Sequence, residues 1–306
     1  MGILWLGTMW LDHAPLQPSD TAAGSTRSLP ATQHELFDAE SEALLFTQAD
    51  RVDRALSRLG PRELGPSTYF LGFAGYGEEK VFAEEIRFAA KIMDNRFGGG
   101  QRTLFLLNDV RDRERTPLAS GAALRHTLQG LAEQMQLEHD LLIVALSSHG
   151  GEDATLAVSN GNIPLTDLTA EQLRTALDGA GIRWRLLIVS ACFAGSFIDS
   201  LADQHTAIIT AAAADRSSFG CSNDRDLTYF GEAFYRDALP SATSIRGAFE
   251  NAKALVTVRE QAIGVTPSLP AMYMGSQIEA KLAAMSKAHQ IRSAAATRLT
   301  DAETNQ

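Results

Sequence analysis

Two stretches of the sequence decide the fold: residues 141–151 read LLIVALSSHGG, and residues 186–197 read LLIVSACFAGSF. Each stretch begins with a continuous apolar run, which is typical of a strand that is buried on both faces of a sheet. Such strands occur in parallel sheets that helices cover on both sides. Each apolar run ends directly before small and polar residues. The two stretches therefore predict an α/β architecture with a site at the carboxyl ends of its strands.

Outward from these two stretches, strands and helices alternate along the chain. Apolar and β-branched runs predict strands at residues 67–73, 103–107, 141–146, 185–190 and 207–213. Apolar residues at helical spacing predict helices at 36–59, from Phe82 to the glycines 98–100, 118–135, after the capping residue Thr169, 230–238, 244–260 and 277–288. This alternation predicts a three-layer α/β/α sandwich with a mostly parallel central sheet. A loop or a small hairpin is expected over residues 151–166.

The composition is that of an ordinary globular chain. Of the 306 residues, 45% are apolar and 21% are charged, which excludes a disordered chain, a collagen-like repeat and a protein of many membrane spans. Against 27 basic side chains stand 37 acidic ones, a net charge of −10. An acidic balance disfavours binding to nucleic acid, which requires clustered Lys and Arg. The two cysteines are too few for a disulfide scaffold or a cysteine-rich zinc site, and we expect no metal and no organic cofactor.

The amino-terminal residues differ from the rest. Residues 1–11 (MGILWLGTMWL) are apolar and uncharged, whereas a membrane span needs about 20 residues and a secretory signal has a basic start. Two interpretations are open: an unstructured apolar start, or the remnant of a membrane anchor. We divide the chain into an apolar stub with a linker, an N-terminal helix, an α/β domain and a C-terminal helix with a tail, at residues 1–34, 35–66, 67–275 and 276–306.

A histidine and a cysteine each follow a predicted central strand. His149 lies in SSHGG after the third strand, and Cys192 lies in SACFAGS after the fourth. If these strands are parallel neighbours, about 4.8 Å apart, both side chains emerge at the same edge of the sheet. A thiol beside an imidazole is the arrangement that nucleophilic catalysis by cysteine requires.

The residues around this pair suit the same chemistry. The segment after Cys192 predicts a helix, whose N-terminal N–H groups would favour a thiolate. His149 can exchange protons near neutral pH, and Gly150 would offer a backbone N–H to a developing oxyanion. Cys221 lies in a polar loop and is interpreted as a packed or pocket-lining thiol, without a disulfide to Cys192.

Structural interpretations of the same residues are also open. A free cysteine is most often a small buried apolar residue, and a His-Gly pair after a strand is often part of a turn. A nucleotide-binding domain would carry Gly-x-Gly-x-x-Gly after the first strand, but Gly72, Gly75 and Gly77 have another spacing. A serine hydrolase would carry Gly-x-Ser-x-Gly at a strand–helix turn, where this chain has Cys192.

Together these motifs resemble the caspase-like cysteine peptidases, and within them the legumain-like family, peptidase family C13. The His-Gly block and the Ser-Ala-Cys block carry the resemblance, with residues 211–231 (AAAADRSSFGCSNDRDLTYFG) as a third block. Phe230 stands where the family has an aliphatic residue. The likeness runs from about residue 67 to 260 and is greatest to the bacterial branch, many of whose members carry an N-terminal membrane segment.

The resemblance implies a caspase-like fold and a cysteine endopeptidase that acts on peptides or proteins through a thioester acyl-enzyme. Cys192 would be the nucleophile, and His149 would protonate the leaving amine. The backbone N–H groups of Gly150 and Cys192 would bind the oxyanion. It also favours a membrane-anchored or periplasmic protein of a bacterium, with a cytoplasmic location still open and membrane association through the N-terminus.

For substrate binding the resemblance implies Asp224, and Ser218 of the same third block and Glu79 in the loop after the first strand are further candidates. That loop reads GYGEEK over residues 75–80 and lacks the Arg-His pair of the family's asparagine-specific members. Its carboxylates would favour a basic or amide side chain, or would serve only to favour the N-terminus of the next helix. Preference for asparagine is therefore not expected.

Two further functions are alternatives to hydrolysis. A transamidase or ligase would use the same acyl-enzyme and transfer it to an amine instead of water. A non-catalytic caspase-like scaffold would need neither Cys192 nor His149, yet both are present.

Overall fold

The computed structural model describes residues 39–62 and 65–304, and its centre is a six-stranded sheet. The strands are β1 (Thr68–Ala74), β2 (Thr103–Leu107), β3 (Leu141–Ser147), β7 (Trp184–Ser190), β8 (Thr206–Thr210) and β9 (Ala271–Met274). Their order across the sheet is β2-β1-β3-β7-β8-β9. All neighbours are parallel except β9, which runs antiparallel to β8. β3 and β7 therefore lie side by side at the centre.

Helices cover both faces of this sheet. In chain order they are α1 (Ala39–Phe46), α2 (Gln48–Ser57), α3 (Lys80–Phe97), α4 (Gly121–Gln134), α5 (Ala170–Gly179), α6 (Phe197–Leu201), α7 (Tyr229–Gly231), α8 (Ile245–Ile263) and α9 (Ile278–Thr304). A π-helix (Glu232–Ala238) continues α7, and two 3-10 turns lie at Gly100–Arg102 and Ala194–Ser196.

Alternate residues of each strand enter two separate cores. In β3, Leu141 and Ile143 face a core built with α3, the π-helix, α8 and α9. Leu142 and Val144 face the other core, which is built with α2, α4, α5 and α6. Both faces are buried because every second residue of a strand points to the opposite side. The predicted three-layer α/β/α sandwich with a mostly parallel sheet is confirmed.

Most of the predicted elements have counterparts within a few residues. Thr169 caps α5 and forms a capping box with Gln172. The expected loop or hairpin after β3 is a small antiparallel sheet of β4 (Gly150–Gly151), β5 (Thr155–Leu156) and β6 (Leu168–Thr169). The segments predicted as N-terminal and C-terminal helices pack against the domain, since Val52 of α2 and Leu282 of α9 are buried in the two cores.

Three expectations differ from the structure. The single helix predicted over 36–59 is divided into two helices, α1 and α2. Residues 36–38 of the predicted range lie outside the described part of the chain. The edge strand β9 was not predicted, because its four residues are only partly buried and carry no strong pattern. The fifth predicted strand ends at Thr210 instead of residue 213.

The predicted apolar stub and linker, residues 1–34, lie outside the described residues. Within the described ranges, no helix is both long and apolar enough to cross a bilayer.

Candidate active site

The register of the two central strands brings His149 and Cys192 to the same edge of the sheet. Ser147 of β3 pairs with Ser190 of β7, so each predicted catalytic residue comes two positions after a paired residue. The Ser148 N–H also donates to the carbonyl oxygen of Ser190 at 3.3 Å, which extends the pairing one step beyond the strands. The arrangement follows from parallel pairing, since parallel strands end at one edge.

Gly150 lies against the backbone of Cys192, the predicted nucleophile. A Cβ atom at this position would come within 2.1 Å of the Cys192 carbonyl oxygen and 3.0 Å of the Ala191 side chain. Only a residue without a side chain allows the two backbones to approach this closely. The predicted oxyanion residues, Gly150 and Cys192, are thus brought into direct contact.

The chain turns sharply directly after Cys192. Phe193 has φ 55°, in the left-handed region that bulky residues rarely adopt, and its N–H donates to the Arg216 carbonyl at 2.7 Å. Such backbone strain is typical of functional turns. The predicted helix after the nucleophile begins only with the 3-10 turn Ala194–Ser196 and the five-residue α6, so it presents no long helix dipole to the sulfur.

The Ser218 backbone contacts the sulfur instead. Its N–H points to Cys192 Sγ at 3.2 Å, and its carbonyl oxygen lies 3.5 Å from the same atom. An N–H donor stabilises a thiolate, whereas a carbonyl oxygen accepts a hydrogen bond from a neutral thiol. Ser218, predicted as a substrate-binding residue, is therefore a direct neighbour of the nucleophile through its main chain.

The imidazole of His149 has polar and aromatic neighbours. Its Nε2 atom lies 3.1 Å from Oε2 of Glu79. The rings of Tyr76 and Phe82 pack edge-on against it, with centroid separations of 4.7 and 5.0 Å. Glu79, predicted for substrate binding, thus contacts the histidine that is predicted to be catalytic.

The loop that carries Glu79 is held by the segment downstream of the nucleophile. The Asn223 side chain accepts a hydrogen bond from the Lys80 N–H at 2.9 Å and donates one to the Glu78 carbonyl at 3.2 Å. The Lys80 ammonium pairs with Asp226 at 2.9 Å. These contacts join the first and third sequence blocks at the edge of the site.

A buried carboxyl group lies beneath the site. Glu85 of α3 accepts hydrogen bonds from the Ser147 hydroxyl at 3.0 Å, the Thr228 N–H at 2.9 Å and the Thr228 hydroxyl at 2.6 Å. Ser190 lies 3.1 Å from the same Thr228 hydroxyl. Burial raises the pKa of Glu85, while the hydrogen bonds oppose that shift.

The hydrogen-bonded group of Glu85, Ser147, Ser190 and Thr228 was not predicted from the sequence. A glutamate within a helix, two serines at strand ends and a threonine in a loop have no pattern of their own. Thr228 lay inside the third block, which was the one available signal.

Cys221 is a packed thiol, as one of its two interpretations expected. Burial raises its pKa to about 12, and the charges of Cys192, Glu85 and Glu79 act in the same direction. Both cysteines are free, so no disulfide joins Cys221 to Cys192.

Asp224 lies on the exposed surface of the third block. It accepts a hydrogen bond from the Ser222 hydroxyl, which lowers the pKa of its carboxyl group together with the nearby Arg225 and Lys80. Its role in substrate binding stays a prediction. A cavity of about 530 Å³ opens nearer the nucleophile, with Phe193, Ser217 and Phe219 in its wall.

Comparison with known proteins gives a matching family and solved structures of similar fold. Residues 134–281 match the model of the Peptidase C13 family. The fold is similar to that in the crystal structure of caspase-1 from Spodoptera frugiperda, with 11% identity, a TM-score of 0.49 and coverage of 70% of this chain and 88% of that one. No curated protein matches the sequence. The matched residues include His149, Gly150, Cys192 and the third block, and through them this part of the chain is similar to the Peptidase C13 family, a family of cysteine peptidases.

Proposed function

We propose that the protein is an endopeptidase that cleaves peptide bonds through a Cys192–His149 dyad and a thioester intermediate. The observation that carries this proposal is the pairing of Ser147 with Ser190, two residues before His149 and Cys192. This register holds a nucleophile and a proton carrier at the same edge of a rigid sheet, as covalent catalysis requires.

Acylation begins when the Cys192 thiol gives its proton to His149 and the sulfur attacks the scissile carbonyl carbon. The carbonyl oxygen becomes an oxyanion, and the N–H groups of Gly150 and Cys192 are the proposed donors to it. When the tetrahedral intermediate collapses, the C–N bond breaks and His149 gives its proton to the departing amine. The acyl group is left on Cys192 as a thioester.

Deacylation reverses these roles. His149 accepts a proton from a water molecule, which attacks the thioester carbonyl carbon, and the carboxylic acid product leaves the sulfur. The Ser218 N–H, 3.2 Å from Sγ, supports the negative sulfur that attacks in the first step and departs in the second.

Substrate residues beside the scissile bond are proposed to lie along Ser218. The neighbours of Ser218, Ser217 and Phe219, line the cavity next to the Cys192 turn, which has room for a side chain. Asp224 is proposed as a more distant contact on the same segment.

Replacement of the two cysteines tests the dyad. We expect Cys192→Ala to abolish hydrolysis of fluorogenic peptides and labelling by a thiol alkylator. Cys221→Ala should leave hydrolysis largely intact, because the raised pKa of Cys221 leaves it protonated at neutral pH. Equal loss of hydrolysis in both variants would refute the assignment of the nucleophile.

Product analysis separates hydrolysis from transfer to an amine. A positional scan of peptides that varies the residue before the cleaved bond is run with and without an added amine. Free carboxylic acid products in both conditions support an endopeptidase. Predominant amide products in the presence of the amine would favour the transamidase alternative.

A further inference from the structure

We propose that Glu79 is the positioning residue of His149, so that the proposed Cys192–His149 dyad works with a third, acidic member. This inference rests on the proposed function, and it replaces the interpretation of Glu79 as a substrate-binding residue. Glu79 acts through the imidazole and does not touch the reacting atoms.

The contact itself is direct and partly shielded from solvent. Oε2 of Glu79 lies 3.1 Å from Nε2 of His149, and the two side chains are 24% and 39% exposed. Among the described residues, this oxygen accepts no hydrogen bond of good geometry and is buried. A buried carboxylate oxygen without a donor is unfavourable, so a proton on Nε2 of His149 is stabilised.

The competing explanation for Glu79 is the start of the next helix. Glu79 is the N-cap residue of α3, but its side chain makes no capping hydrogen bond to that helix. The carboxylate is directed to His149 instead. Its position is therefore explained by the imidazole and not by capping.

Aromatic side chains restrict the orientation of the imidazole. Tyr76 and Phe82 pack against it edge-on, with interplanar angles of 77° and 79°. Tyr76 also forms a β-bridge to Ser159, next to the small sheet that follows His149. A ring held by two neighbours presents one nitrogen to Glu79 and leaves the other, Nδ1, for the nucleophile and substrate.

The residues on either side of Glu79 are anchored to other parts of the site. Asn223 bonds to the backbone of both Glu78 and Lys80, the residues that flank Glu79. The Glu78 side chain accepts from the Ser159 hydroxyl and the Gly161 N–H, each at 2.8 Å. Glu79 thus lies between two anchored neighbours, as a preorganised group requires.

Two consequences follow for the chemistry. A proton on Nε2 makes Nδ1 the basic nitrogen of the neutral ring, because only one nitrogen of a neutral imidazole carries hydrogen. The negative charge of Glu79 also lies next to the ring from which the leaving amine receives its proton. Several other ionisable groups lie near His149. Glu79 and Tyr76 contact its ring, and Cys192 follows the neighbouring strand. Cys221 and Glu85 lie beneath, and Lys80 in the adjacent loop is paired with Asp226.

The test compares the full-length wild type with Glu79→Gln, Glu79→Asp and the control Glu84→Gln. Glu84 lies on the same helix and pairs with Arg87 and Arg111 at the surface, so its replacement removes the same charge. kcat and KM are measured between about pH 5 and 9, the range in which an imidazole changes charge. Nitrogen NMR of labelled histidine reports the tautomer of His149, whose signal a His149→Gln variant identifies.

We expect Glu79→Gln to lower kcat about 10- to 100-fold, a part of what general acid–base catalysis contributes. KM should change little. The fraction of the Nε2-protonated tautomer should fall. Glu79→Asp should retain that tautomer with an intermediate kcat, and Glu84→Gln should match the wild type.

Two results would overturn the proposal. One is an unchanged tautomer of His149 in Glu79→Gln. The other is a change of KM and residue preference at constant kcat, which would restore the substrate-binding interpretation. A wild type that cleaves no peptide would refute the proposed function instead, and the tautomer comparison would still decide the role of Glu79.

Discussion

Two layers of the site, one above the other on the same strands, differ sharply in character. The rim consists of His149, Cys192 and Glu79, and it is partly open to solvent. The floor consists of Ser147, Ser190, Glu85 and Thr228, all of which are buried. Two residues along β3 and β7 separate the layers. The proposed reactive groups thus follow the carboxyl ends of the strands. The polar groups of the floor, at the last residues of the strands and beneath them, form hydrogen bonds with one another.

Polar residues therefore have different roles in the two layers: stability in the floor and the proposed reaction in the rim. In the floor, three hydrogen bonds satisfy Glu85, and nothing is left to react. In the rim, the Cys192 sulfur and one imidazole nitrogen remain available for substrate. Substitutions in the rim should therefore change rate, and substitutions in the floor should change stability.

Among variants that keep both members of the proposed dyad, the largest effect is expected at the backbone contact of the rim, in Gly150→Ala. A Cβ atom would meet the Cys192 carbonyl oxygen at 2.1 Å, so the backbone has to shift and the proposed oxyanion donor moves with it. We expect kcat to fall at least about 100-fold, the cost of one lost oxyanion donor.

Gly151→Ala is the matched control for that variant. There the added atom meets only the side-chain oxygens of Asp153 and Thr155, at 2.7 Å, and these can move. Its kcat should stay much nearer the wild type than that of Gly150→Ala. A comparable loss in both variants would show that the small β4–β6 sheet, and not the oxyanion contact, controls the rate.

A second, smaller effect is expected in the floor, and it concerns stability. Glu85→Ala leaves the Ser147 hydroxyl and two donors of Thr228 without their acceptor, at about 1–3 kcal/mol for each buried group. The free energy of unfolding, measured by chemical denaturation, should fall accordingly. Glu84→Ala, which removes only surface ion pairs, should cost at most about 1 kcal/mol.

The stability that the floor provides should also depend on pH. Because the pKa of Glu85 is raised in the folded protein, its contribution to stability is complete below the ordinary value of 4.5 and is lost as pH rises through the folded value. Glu85→Gln imitates the protonated carboxyl group and cannot ionise. The free energy of unfolding of this variant should therefore decline less with rising pH than that of the wild type. An equal decline in both would contradict the role given to the floor.

The smallest effect is expected at the contact that joins two sequence blocks, in Asn223→Ala. The variant loses the hydrogen bonds to Lys80 and Glu78, each worth about 0.5–1.5 kcal/mol, and the loop that carries Glu79 becomes looser. We expect a decrease of kcat of about threefold to tenfold, since about 1.4 kcal/mol corresponds to a tenfold change. The control is Asn251→Ala on the exposed side of α8, which should keep the kcat of the wild type. Equal rates in Asn223→Ala and the wild type would separate this contact from the rim.

The layers of the fold could be predicted from the sequence alone, and so could the two residues that follow its central strands. LLIVAL and LLIVS are recognisable as fully buried strands because hydrophobic runs of this length have few other uses in a globular chain, and the residues that follow such strands meet at one edge. His149, Gly150 and Cys192 could therefore be named from pattern and position.

The contact partners of those residues could be found only in the tertiary structure. Glu79 is 70 positions from His149, and Glu85 is more than 140 positions from Thr228, so no local pattern could reveal that they meet. The same holds for Ser218, whose contribution is a backbone N–H that every residue but proline possesses. Contacts of this kind depend on how loops cross the end of the sheet, and a linear sequence records the order of its residues but not that crossing.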